Sequence, residues 1–96
     1  MKVVLSDEVR EFLRTLAPEP RRSVLRELDL IESGTKQAEP LEEPLEKFYK
    51  VKSGRYRMVC AVDANTFYAL FAERRSIIYE TATAMFLQDI LASMRG

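Results

Sequence analysis

The stretch FYKVKSGRYRMVCAV, residues 48–62, reads as two strands and the turn that joins them. Apolar and polar residues alternate on both sides of Ser53-Gly54, a two-residue link of the kind that closes tight hairpins. With those two residues as the loop, Lys52 stands opposite Arg55 and Lys50 opposite Arg57. Alternation then sends Lys50, Lys52, Arg55 and Arg57 to one face, and Tyr49, Val51, Tyr56, Met58, Cys60 and Val62 to the other. The first face also carries Val59 and Ala61, so away from the turn it is apolar and needs a cover. Like charges directly opposite one another destabilise a sheet by roughly 0.2–1 kcal/mol per pair. Cations stacked this way are placed for an anionic partner, whose binding removes the repulsion.

Outside the hairpin the periods change. KVVL (2–5) is a short apolar run that predicts a first strand. Ser6 suits a helix N-cap, and Asp7 and Glu8 fall in the first turn, where carboxylates favour the positive end of a helix. Val9, Phe12, Leu13 and Leu16 follow the i, i+3, i+4, i+7 spacing, which predicts a helix to about Ala17. Pro18 and Pro20 break it and open a second helix, whose stripe is Val24, Leu25, Leu28 and Ile31 and whose stop is Gly34. Two stripes facing one core make a helical hairpin.

TKQAEPLEEPLEK (35–47) has no period and reads as a surface-running loop. Strands are expected at 47–52, 55–62 and about 67–73, with DANT (63–66) as the second turn. Residues 80–94 read as a helix with Phe86, Leu87, Ile90, Leu91 and Met94 on one side. The expected fold is a single α+β domain over residues 1–96, in the order β-α-α-β-β-β-α. Residues 1–34 supply a strand and the helical hairpin, which packs on one face of a largely antiparallel four-stranded sheet. Residues 47–79 supply the rest of that sheet and its basic face. The C-terminal helix either packs on the sheet or forms a partner surface.

Composition narrows the function classes. The chain is 47% apolar and 31% charged, the balance of a soluble globular domain. No run approaches the roughly 18 apolar residues of a membrane span, and MKVVLSDEV turns acidic too soon for a signal peptide. The single cysteine, Cys60, excludes an internal disulfide and fits a reducing cytoplasm; within MVCAV it reads as a buried thiol. With no histidine and no cysteine pair, neither a zinc site nor another cofactor is expected. The formal net charge is zero, but it is unevenly placed. Residues 1–46 carry 7 basic and 11 acidic side chains, whereas residues 47–75 carry 7 basic against only Asp63 and Glu73. A neutral total with one basic block points to a local anion site.

KFYKVKSGRYRMVCAV followed by AERRSIIYE resembles the second half of the RelE/ParE family of bacterial type II toxins. The shared pattern is a basic strand, a glycine turn, tyrosine-arginine leading an apolar strand, then an arginine with a tyrosine four positions later. Here these are Lys52, Gly54, Tyr56-Arg57, Met58–Val62, Arg75 and Tyr79, and the order of elements agrees over residues 1–80. The resemblance implies a cytoplasmic toxin held inactive by a cognate antitoxin protein. RelE-type members cut mRNA on the ribosome, whereas ParE-type members poison DNA gyrase. Lys50-Val51-Lys52 resembles the RelE branch, which implies a metal-independent endoribonuclease with Lys50, Lys52, Arg57, Arg75 and Tyr79 as its catalytic set. Lys52 or Lys50 would serve as base or phosphate clamp, and Arg57 and Arg75 would stabilise the pentavalent phosphate. Tyr79 would stack on a base or act as the acid. Arg55, Arg74 and Lys47 would contact RNA around them.

Overall fold

The computed structural model describes residues 1–74 and 81–95. Strand β1 (Lys2–Leu5) leads directly into helix α1 (Asp7–Thr15), because Ser6 stops the one and caps the other. The Ser6 Oγ accepts from the Val9 amide at 3.0 Å and donates to the Leu70 carbonyl at 2.7 Å, while the Ser6 amide donates to the Ala69 carbonyl. One buried hydroxyl thus satisfies a helix start and a strand carbonyl together.

Helix α1 ends at Thr15 with Leu16 as an extended C-cap, and Pro18 pushes Ala17 out of the helical region; the expected extension to Ala17 is therefore cut short. The open carbonyls of its last turn are collected by Arg21, from the next helix. The Arg21 Nε donates to the Leu13 carbonyl at 2.9 Å and Nη2 to the Leu16 carbonyl at 2.8 Å. Helix α2 (Pro18–Glu32) starts on prolines, whose missing N–H groups would have had no helical partner. At its end Gly34 adopts φ +80°, its amide donating to the Ile31 carbonyl and that of Thr35 to the Leu30 carbonyl. These are the two bonds of a Schellman stop.

The sheet has five strands, one more than expected, in the order β1-β5-β4-β3-β2. Within 35–47, read as a loop, Glu39–Pro40 forms a two-residue strand β2 that pairs antiparallel with β3 (Tyr49–Ser53). Nor does this segment only run over the surface, since Leu41 and Leu45 are buried. Strand β4 (Tyr56–Asp63) pairs antiparallel with β3 and with β5 (Thr66–Glu73), and β1 pairs parallel with β5. The β4–β5 turn places Ala64 and Asn65 at φ +48° and +62°, the pair of left-handed residues of a type I′ link.

Both faces are covered. Val51, Met58, Cys60, Phe67, Ala69 and Ala72 pack under α1 and α2 with Val9, Leu13, Val24 and Leu28. On the opposite face Val59, Ala61 and Leu70 lie under Leu87, Ile90 and Leu91 of helix α3 (Thr81–Arg95), joined by Leu41, Leu45 and Phe48. Of the two roles open to the C-terminal helix, it takes the first and packs on the sheet, while Phe86 stays 45% exposed with its ring edge-to-face on Phe71. No helix among the described residues is long and apolar enough to cross a membrane.

Cys60 is fully buried in the first core, and burial pushes its thiol well above the ordinary range. A thiol reagent should therefore label it only through global unfolding. The labelling rate at increasing urea is expected to track the unfolded fraction, and fast labelling of native protein would show a local opening of β4.

Candidate functional site

Strand alternation places Lys50, Lys52 and Arg57 on the face opposite the helical hairpin, at the end that α3 and the 41–48 segment leave uncovered. The register differs from the one expected. Ser53 pairs with Tyr56, so the loop is Gly54-Arg55 and not Ser53-Gly54. Gly54 takes φ +59° at the first loop position, a conformation that costs a non-glycine residue about 1 kcal/mol or more. The loop follows the backbone that only glycine adopts freely.

The shift rearranges the cations. Lys52 now stands directly opposite Arg57, while Lys50 faces Val59. Arg55 leaves the sheet face for the exposed turn, so four stacked cations become three on the face and one at its tip. Lys52 is exposed and Arg57 half-buried. Lys50 is also half-buried, with its Nζ 3.9 Å from the carboxylate of Glu39, its cross-strand partner on β2. Arg74 is exposed just beyond the end of β5, beside the same tip. Lys47 is exposed at the far end of β3, away from the cluster. Arg75 and Tyr79 lie outside the described residues.

One member of this surface was not legible as such in the chain. Pairing between β4 and β5 runs regularly from Asp63↔Thr66 to Cys60↔Ala69, then skips Leu70 and resumes at Val59↔Phe71. Leu70 is the extra residue of a β-bulge. Without it Ala72 would stand beside Arg57; with it Glu73 does. Lys52, Arg57 and Glu73 therefore form one lateral row across β3, β4 and β5. Glu73 stands beside Arg57 in register, yet its Oε2 has no hydrogen-bond partner among the described residues, and the row of two cations and one carboxylate stays net positive.

A cation pair of this kind suits a phosphodiester. The guanidinium offers a planar fork to two phosphate oxygens, and the ammonium offers a mobile point charge that also holds protons. Among the described residues, a hollow of about 600 Å³ reaches Lys50 and is lined by Glu39, Pro40, Leu41, Glu42 and Glu43, acidic at its rim, and one of about 350 Å³ runs along the turn at Ser53, Gly54, Arg55 and Tyr56; neither encloses the Lys52–Arg57 pair. That geometry fits a polymer lying across the face better than a small molecule enclosed in a pocket.

No protein-family model matches the sequence, and no curated relative does. Solved structures do. A chain of the RelBE2 toxin–antitoxin complex from Mycobacterium tuberculosis superposes with a TM-score of 0.65 at 23% identity, over 77% of this chain and 96% of that one. The E. coli toxin RelE, solved in the free state as a double arginine-to-alanine mutant, superposes with a TM-score of 0.59 at 17% identity, over 97% and 95%. The fold is RelE-like.

Proposed function

We propose that this chain is the toxin of a type II toxin–antitoxin module, and that it cleaves mRNA on the ribosome as a metal-independent endoribonuclease. The observation that carries this reading is the Lys52–Arg57 pair, opposite one another on the open end of a RelE-like sheet. In the reaction a ribose 2′-oxygen attacks the adjacent phosphorus, its proton passing to a base, and the P–O5′ bond breaks as the 5′-oxygen takes up a proton. The products are a 2′,3′-cyclic phosphate and a 5′-hydroxyl. With no histidine in the chain, the proton carriers come from the site's lysine, tyrosine or carboxylate groups.

Lys52 is the proton carrier or phosphate clamp of choice over Lys50. It is exposed and faces Arg57, whereas Lys50 is turned to Glu39. Arg57 stabilises the charge that develops on the phosphoryl oxygens. Arg55 and Arg74 flank the site as contacts to the RNA backbone, and Lys47 meets the strand only farther along. Arg75 and Tyr79 complete the set on the strength of the family pattern alone. The ribosome supplies the substrate geometry that a shallow face cannot, which is a large share of the proximity term. A cognate antitoxin protein holds the toxin inactive in the cytoplasm, in keeping with a structural neighbour drawn from a toxin–antitoxin complex.

The test is inducible expression with simultaneous mapping of RNA 5′ ends and of chromosomal DNA breaks and supercoiling. The expected result is new 5′-hydroxyl ends confined to translated messages. Intact messages with accumulating gyrase-linked breaks would overturn the reading in favour of a ParE-like gyrase inhibitor.

A further inference from the structure

The turn that carries Arg55 has a second side, which the basic face does not use. Ser53 and Tyr56, the pair that closes the hairpin, lie on the face of the helical hairpin, opposite Lys52 and Arg57. There a cleft of about 350 Å³ separates the turn from the start of α2, with Ser53, Gly54, Arg55 and Tyr56 on one side and Pro20 and Ser23 on the other. Ser53 is only 6% exposed, yet its hydroxyl bonds to nothing among the described residues. A buried hydroxyl without a partner lowers stability, so sheet packing does not account for a serine here. Tyr56 repeats the pattern. Phe12 holds its ring edge-to-face at 5.5 Å, while its hydroxyl likewise has no partner among the described residues. Ser23, exposed on α2, makes no bond back to its own helix. Three hydroxyls that the fold leaves unused thus meet at one cleft, and Arg55, in no ion pair among the described residues, stands exposed beside them.

The lining decides the class of ligand. Hydroxyls both donate and accept, which matches the mixed edge of a nucleobase better than a bare anion. The helix start adds little for an anion, since Pro18 and Pro20 carry no N–H and Glu19 brings a carboxylate to the first turn. The one cation in the lining is Arg55, on the turn shared with the basic face. We propose that the cleft seats one unpaired base of the RNA strand, with the Ser53 and Tyr56 hydroxyls on the base edge and Arg55 on the adjoining phosphate. The inference rests on the ribonuclease reading given above and adds to it a contact that distinguishes bases. A strand lying on Lys52 and Arg57 reaches the cleft by passing over the two-residue tip. Phosphate contacts fix its register and carry no sequence information, whereas a seated base does.

The purified full chain is titrated with single-stranded RNA pentamers of A, of C, of G and of U, and its backbone amide resonances report where each one binds. The expected result is saturable shifts at Ser53, Gly54 and Tyr56, with the best and worst base differing by about 3- to 10-fold in Kd, the worth of one hydrogen bond. Ser53→Ala and Tyr56→Phe should each erase most of that spread. Their melting temperatures should hold or rise, because neither change removes a bond within the fold. On translating ribosomes the same variants should flatten the base preference beside the mapped cuts. Equal Kd for all four pentamers would reduce the cleft to a phosphate contact, and shifts confined to the Lys52–Arg57 face would leave it to water. Either result overturns the proposal, as does a base preference that survives in both variants. A Ser53→Ala melting temperature lower by about 4–8 °C overturns it too, by showing the hydroxyl bonded within the fold. If wild-type protein leaves messages intact, the ribonuclease reading fails on its own, and the pentamer titration still decides whether the cleft seats a base.

Discussion

On the proposed ribonuclease reading, Lys52→Ala should reduce the rate of message cleavage by roughly 10²- to 10³-fold, the usual loss on removing a proton carrier or a phosphate-binding cation. Its folding should be untouched. Lys52 is exposed, stands directly opposite Arg57, and takes part in no ion pair among the described residues. Removing it relieves a like-charge contact, so the melting temperature should hold or rise slightly. Lys50→Ala makes the informative comparison. Lys50 is half-buried against Glu39 and faces Val59, so its loss should cost about 10-fold or less, chiefly in KM and with strong salt dependence. Single-turnover cleavage on translating ribosomes, with thermal melts of each variant, measures both. Equal losses for the two lysines would mean that the whole basic face acts as a diffuse anion trap. Arg57→Ala is the less clean probe. It too removes a like charge, but Arg57 is half-buried and has interactions of its own, so part of any effect would be structural.

The second large effect concerns folding. Ser6→Ala should destabilise the domain by about 2–4 kcal/mol, from the lost helix cap and the stranded buried carbonyl of Leu70 together. Against a total of roughly 5–15 kcal/mol that is a large fraction. Urea unfolding followed by circular dichroism gives the value. A loss below about 0.5 kcal/mol would show that α1 starts and the bulge holds without the hydroxyl.

Most elements of this fold were legible because their causes are local. Val9, Phe12, Leu13 and Leu16 lie on one face of a helix whatever surrounds them, and Ser6, Pro18 and Gly34 mark boundaries by their own backbone chemistry. The alternation through residues 49–62 likewise assigns faces without reference to any neighbour. Hence Lys50, Lys52 and Arg57 could be placed together from the chain alone. Arg55 could not, because alternation does not say which two residues turn. The positive φ of Gly54 at the first loop position decides that, and it moves Lys52 from opposite Arg55 to opposite Arg57. Strand β2 was missed because two residues carry no period, and its pairing with β3 is what turns Lys50 toward Glu39. The Leu70 bulge has no signature in YALFAE, which alternates no worse than any buried strand. The carbonyl of the bulged residue accepts from a serine hydroxyl 64 positions away, a contact available only once β1 lies beside β5. The bulge turns the end of β5 by one face and brings Glu73 into register with Arg57 on a basic surface.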